Sequence, residues 1–287
     1  MSVLVDLIVM LGMLVIVPMG LRLMDAPEAA PVRVLWPLCA VPGAVSLWLP
    51  RGALATALAA CYALGTLLLA LAAPRRLART RSLAPADVAV LTALVSPSVA
   101  ATALVAERWG HELFGFDLGI LDLTVPHFHF AGFAAALVAG LVRSAAPGRP
   151  AAAFAALSVP LGTFLVLLGY FVDDWAELAG AVVLTAGMWA VALVTWQDVL
   201  PRGRDRLTRA LFAVSAGVLV ATMLLALSWA LGEATGIPHP NLTWMAATHG
   251  LANALGFALC SVLAWRRLTG AGHRAGTPAP APEEIPA

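Results

Sequence analysis

The chain has 287 residues, of which 61% are hydrophobic and 11% charged, with a formal net charge of +1. Soluble domains carry roughly 25% charged residues, so a mean hydropathy of +0.90 with so few charges excludes a soluble enzyme and indicates an integral membrane protein. All 17 basic residues are Arg, and Asn241, Asn253 and Gln197 are the only side-chain amides, so a polar residue inside an apolar run carries unusual weight.

A membrane-spanning helix needs about 20 mostly apolar residues. Nine stretches qualify: about 2–21, 33–50, 52–73, 85–106, 123–143, 151–172, 177–199, 208–231 and 243–265. The expected fold class is all-α, a polytopic transmembrane bundle forming one domain over 1–268. A Gly-, Pro- and Ala-rich tail over 269–287 is expected to be disordered. The first stretch lacks a basic leader and a small-residue cleavage site, so it reads as a retained helix. The second carries Pro37 and Pro42 and is expected to be kinked or short. Cys39, Cys61 and Cys260 lie in apolar runs without C-x-x-C spacing and read as small buried hydrophobes. No internal repeat is evident, which weakens an inverted-repeat transporter.

The arginines set an orientation. With the N-terminus outside, 15 of the 17 fall on inner segments, and only Arg51 and Arg108 fall outside. The C-terminus is then cytoplasmic, and the basic inner end meets anionic lipid headgroups. The Ala and Arg bias fits a high-GC bacterium, so the expected location is a bacterial plasma membrane, crossed many times. His111, His127, His129, His239 and His249 gather at the outer end. Asp6, Glu107, Glu112, Asp117, Asp122, Asp173, Asp174, Glu177 and Glu233 join them there.

Four constellations carry chemistry. Thr124-Val-Pro-His127-Phe-His129-Phe-Ala-Gly132-Phe133 opens the fifth stretch, with Thr124 expected as N-cap and Pro126 in the first turn. An ionisable group in a membrane segment is a functional hypothesis by default. Residues two apart on a helix point about 200° apart, so both imidazoles face one site only if that turn is irregular or the site is wide. They read equally well as metal ligands or as interfacial histidines bonded to loops and water. Thr248-His249-Gly-Leu-Ala-Asn253-Ala-Leu-Gly256-Phe257 places His249 and Asn253 on one face, as a ligand with its orienting partner or as an interhelical hydrogen-bonded pair. Tyr170-Phe-Val-Asp173-Asp174-Trp-Ala-Glu177 offers three carboxylates as an oxygen ligand, a general base or a cation funnel. At least two of these are expected to be plain solvated acids. The loop from Glu107 to Leu123 is a candidate lid, and Asp6 a candidate neighbour of the cavity. Phe128, Phe130 and Phe133 read as packing residues or as an acyl-chain groove. Trp196-Gln197-Asp198 is expected to pair with arginine at the inner end.

The motifs H-F-H-F-A-G-F and H-G-L-A-N-A-L-G-F resemble the YndJ-like family of bacterial membrane proteins, as does Val17-Pro18-Met19-Gly20-Leu21-Arg22-Leu23. The resemblance extends to about residue 268. It implies no established activity, and by motif it singles out His127, His129, His249 and Asn253. The late H-x-x-x-N differs from the H-x-x-x-H of the seven-span zinc hydrolases, which are similar in chemistry only. No Walker loop, dinucleotide fingerprint or haem-attachment motif occurs, and no nucleic-acid partner is expected.

The leading expectation is a metal site. His127, His129 and His249 would be imidazole ligands to Zn, with Cu or Fe as alternatives, and Asn253 would support them. One of Asp173, Asp174 or Glu177 would be a fourth ligand or general base. The matching reaction is hydrolysis or modification of a lipid or other apolar substrate entering from the bilayer. A proton-coupled permease and a non-catalytic scaffold or sensor are the alternatives.

Overall fold

In the computed structural model, which describes residues 3–275, the described residues form an all-α fold, and among them only the isolated bridge Leu113–Phe116 has β character. Nine of the described helices are long and apolar enough to cross a membrane. They are α1 Val3–Leu21, α2 Pro27–Ser46, α3 Ala53–Thr80, α4 Pro85–Trp109, α5 Leu118–Ala145, α6 Pro150–Gly169, α7 Asp174–Arg202, α8 Arg206–Thr235 and α9 Leu242–Gly270. They correspond one to one with the nine expected stretches. The α2 helix starts earlier than expected, at Pro27, and continues through Pro37 and Pro42. Beyond α9 the helix runs on to Ala275, past the boundary expected at 268. The rest of the proposed tail, 276–287, lies outside the described residues.

The start of α5 differs from expectation. Asp117, not Thr124, is the N-cap: its Oδ1 accepts from the Gly119 and Ile120 amides at 2.7 and 3.0 Å. A carboxylate at this position satisfies two helix-end donors at once. Thr124 instead donates to the Ile120 carbonyl one turn back, and Pro126 lies inside the helix. The expected long loop after Glu107 is therefore shortened at both ends, because α4 runs to Trp109 and α5 begins at Leu118.

α5 is the hub. It is the most deeply buried of the nine helices, and it packs against α1, α4, α6 and α9. α9 is the least buried. Three stretches of wider, π-helical winding meet around the hub: Gly12–Ile16 of α1, Phe128–Ala134 of α5 and Ala252–Leu259 of α9. A fourth, Ala246–Gly250, also in α9, packs against α1. Such local widenings cluster at functional sites.

The two ends of the bundle are tied differently. At the arginine-rich end, Arg79 pairs with Glu28, Arg76 with Asp87 at 2.8 Å, Arg149 with Asp198 at 3.1 Å and Arg267 with Asp205 at 3.2 Å. Arg149 also reaches Gln197, as the tripeptide Trp196-Gln197-Asp198 led one to expect. At the opposite end, Glu107 is fully buried between Arg51, at 2.7 Å, and Arg108. These are the two arginines that depart from the overall bias. Arg108 also reaches toward the Ser46 and Leu47 carbonyls at the end of α2, both at 3.3 Å, a favourable place for a cation. The three cysteines are free and half-buried, not fully buried as expected.

The α6–α7 hairpin sits on interleaved glycines. A Cβ added to Gly162 would lie 2.4 Å from the Leu184 amide nitrogen, one on Gly180 would lie 2.5 Å from that of Val166, and one on Gly169 would lie 2.4 Å from Glu177 Cα. Small residues let membrane helices approach backbone to backbone. Gly162→Leu forces the helices apart and is expected to destabilise the fold by about 1–3 kcal/mol or more. Thermal unfolding in detergent micelles checks this, with Gly217→Leu, which meets open space, as the tolerated control.

Candidate functional site

Helices α1 and α5 to α9 enclose a cavity of about 250 Å³ at the end of the bundle opposite the paired arginines. Its wall is mostly apolar, including Leu184, Met188, Met223, Trp229 and Phe257. Its polar groups are His127, His249, Asn253, Glu177, Tyr170 and Thr124. At about 1.5 Å of rise per residue, His249 lies roughly 10 Å inside the start of α9 and His127 roughly 13 Å inside the start of α5. The polar centre is therefore buried within the bundle rather than on its rim.

His127 and His129 part company, as helix geometry favours. His127 lines the cavity, and its Nε2 atom is buried without a hydrogen-bond partner. His129 points to the other flank of α5 and is fully buried. Its Nδ1 lies 2.7 Å from the Val125 carbonyl, and its Nε2 lies 2.5 Å from the Tyr62 hydroxyl on α3. A carbonyl only accepts, so Nδ1 carries the proton and Nε2 accepts from Tyr62. Gly12 of α1 makes room for the ring: a Cβ there would sit 2.9 Å from it. Trp36 stacks edge-on against Tyr62 and donates to the Met13 carbonyl at 2.8 Å.

His249 is oriented from α8 and from its own helix. Its Nδ1–H donates to the Thr222 carbonyl at 2.8 Å, while the Asn253 amide lies 3.2 Å from Nε2. The Thr222 hydroxyl donates to Asn253 Oδ1 at 2.9 Å, closing the network. The three carboxylates have separate fates. Asp173 caps α7 through the Ala176 amide at 2.7 Å, and Asp174 is exposed at the rim. Glu177 turns inward, 6% exposed, beside Tyr170 and pinned by the close approach of Gly169.

Of the seven residues singled out by the sequence, then, His127, His249, Asn253 and Glu177 converge on the cavity, whereas His129, Asp173 and Asp174 do not. A three-imidazole metal centre does not fit this donor set. Both ring nitrogens of His129 are occupied, and among the described residues no group of three or more His, Cys, Asp or Glu is placed to hold a metal ion. Thr222, Tyr62 and Tyr170 were missed. The scarcity of tyrosine was an available signal, since the chain has only two: Tyr170 lines the cavity and Tyr62 holds His129 on the other flank of α5. Phe128 and Phe130 line the cavity, and Phe133 instead packs where Gly20 leaves space. The 110–117 loop reaches the cavity rim through Phe116, which packs against Phe171 and Tyr170 at ring separations of 5.0 and 6.3 Å. Asp6 and Asp122 are buried nearby, each with one oxygen lacking a partner, but neither lines the cavity.

Fold and cavity together define a polytopic α-helical membrane protein with a largely apolar internal pocket. The family model for YndJ-like proteins matches residues 7–257, and the chain belongs to that family. No curated protein and no solved structure matches it.

Tyr62→Phe removes the donor to His129 and leaves a ring nitrogen orphaned in the core. The expected cost is about 1–3 kcal/mol, read as a lowered unfolding midpoint. His127→Leu, which removes an already unpaired nitrogen, is expected to leave that midpoint unchanged or raise it. A Tyr62→Phe variant as stable as the wild type would contradict this division of roles.

Proposed function

We propose that this YndJ-like protein binds an amphiphilic small molecule or a lipid in its cavity. The apolar body would lie against Leu184, Met188, Met223 and Phe257, with a hydrogen-bonding group at His127, His249 and Asn253. The observation that carries this reading is His127, a residue of a largely apolar cavity wall whose Nε2 has no hydrogen-bond partner. An unsatisfied buried nitrogen costs about 1–3 kcal/mol, and a ligand group placed there removes that cost. Small-molecule sites commonly combine an apolar wall with a few convergent polar groups. The arginine bias puts this end of the bundle outside, so the ligand would enter from the outer leaflet.

The same polar set suits proton transfer. His249 is held in one tautomer by Thr222 and Asn253, while His127 is free to accept or donate a proton. If the bound amphiphile is modified, His127 is the general acid or base. Passage of a solute through the bundle is less well supported. Further along α9 the cavity wall ends on Phe257, and the next polar pair, Ser215 with Ser261 at 2.5 Å, is buried and self-satisfied.

Native mass spectrometry of protein purified in mild detergent tests the reading. The wild type is expected to retain an amphiphile of reproducible mass, and His127→Leu to lower its occupancy by about tenfold, equivalent to about 1.4 kcal/mol. Equal occupancy in both, or none in the wild type after incubation with membrane lipid extract, would remove the basis for this proposal.

A further inference from the structure

The charge of the cavity points to the class of ligand. The wall contains no arginine, and Glu177 is its only carboxylate. Among the described residues Glu177 has no cationic partner, although it is 6% exposed. Asp174 and Glu233 act on it from nearby and reinforce the negative potential, and Glu233 is itself 3.1 Å from His239. The other deeply buried glutamate, Glu107, is held by two arginines. Burying a carboxylate without a counter-charge is costly, and the protein builds that counter-charge at Glu107 and omits it at Glu177. Glu177 lies about 5 Å inside the start of α7, nearer the end of the bundle than His127 and His249. A head group at Glu177 places an apolar chain toward Phe257, which lies deeper along α9 on the same wall.

We propose that the cavity selects a cationic amphiphile, a long-chain amine whose ammonium group pairs with Glu177 and whose chain lies along the apolar wall toward Phe257. Tyr170 and Trp229, also on the wall, offer aromatic faces to the cation. Anionic lipids are disfavoured, because their head groups would meet Glu177 with no arginine to receive them. This selectivity rests on the amphiphile-binding reading above.

The test uses three photoreactive twelve-carbon probes with the same diazirine-bearing chain, ending in a primary amine, an alcohol or a carboxylate. The full-length protein in nanodiscs of zwitterionic lipid is labelled at neutral pH, and labelled peptides are identified by mass spectrometry. The amine is expected to label cavity-facing peptides of α5, α7 and α9 about tenfold more than the carboxylate, and above the alcohol. Glu177→Gln is expected to abolish the preference for the amine while leaving alcohol labelling intact, which also reports that the cavity has formed. Asp174→Asn, on the exposed rim, is expected to keep most of the preference. If the alcohol labels as well as the amine, or the preference survives Glu177→Gln, the cation proposal fails and the amphiphile cavity stands. If no probe labels the cavity, both fail.

Discussion

An imidazole inside an apolar bundle needs partners for both of its nitrogens, and His129 obtains them from α3 and from its own helix. That requirement fixes the rotation of α5. With His129 turned toward Tyr62 and seated in the space left by Gly12, the opposite flank of α5 must present His127 to the cavity. One histidine is a structural pin and the other a site group because they lie two residues apart on a helix, and neither role is available to the other. The Tyr62–His129 contact also joins α3 to the hub, while Trp36 carries the connection to α1 through the Met13 carbonyl.

The cavity follows from uneven packing. α5 is enclosed by its neighbours, whereas α9 is thinly packed, and its π-helical segments border the space between α8 and α1. A Cβ built on Gly250 meets nothing closer than 3.8 Å, so the wall there is spacious. By contrast the α6–α7 hairpin is closely packed on its glycines, with Gly169 directly against the backbone of Glu177. The pocket thus has one wall on the closely packed α6–α7 hairpin, which carries the carboxylate, and one on the least buried helix, α9, which carries His249 and Asn253.

Much of this was legible in the sequence. Apolar run length alone locates nine helices, because a bilayer imposes nearly the same length on every span. The 200° separation of residues i and i+2 already opposed a shared site for His127 and His129, and the shared face of residues i and i+4 brought His249 and Asn253 together. What the sequence does not display is which of several acids turns inward. Asp173, Asp174 and Glu177 lie within one turn and a half, and their fates differ because one caps a helix, one faces outward and one is trapped by a glycine on the neighbouring helix. Likewise Thr124 and Pro126 look like a helix start until Asp117, seven residues earlier than Thr124, proves the better cap. Tyr62 could not be assigned to His129 from the sequence, because its contact spans 67 positions and depends on the packing of α3 against α5.

The treatment of buried charge separates architecture from function within one end of the molecule. Glu107 binds Arg51 and Arg108 and through them the end of α2, so its charge is used to hold helices in place. Glu177 is buried nearly as deeply, yet no arginine approaches it, and a helix pair held by glycines keeps it there. A carboxylate that served only packing would be replaced at little cost by Gln or Leu, since an apolar substitute avoids the desolvation penalty. Glu177 sits instead on a cavity wall shared with His127, whose Nε2 has no hydrogen-bond partner.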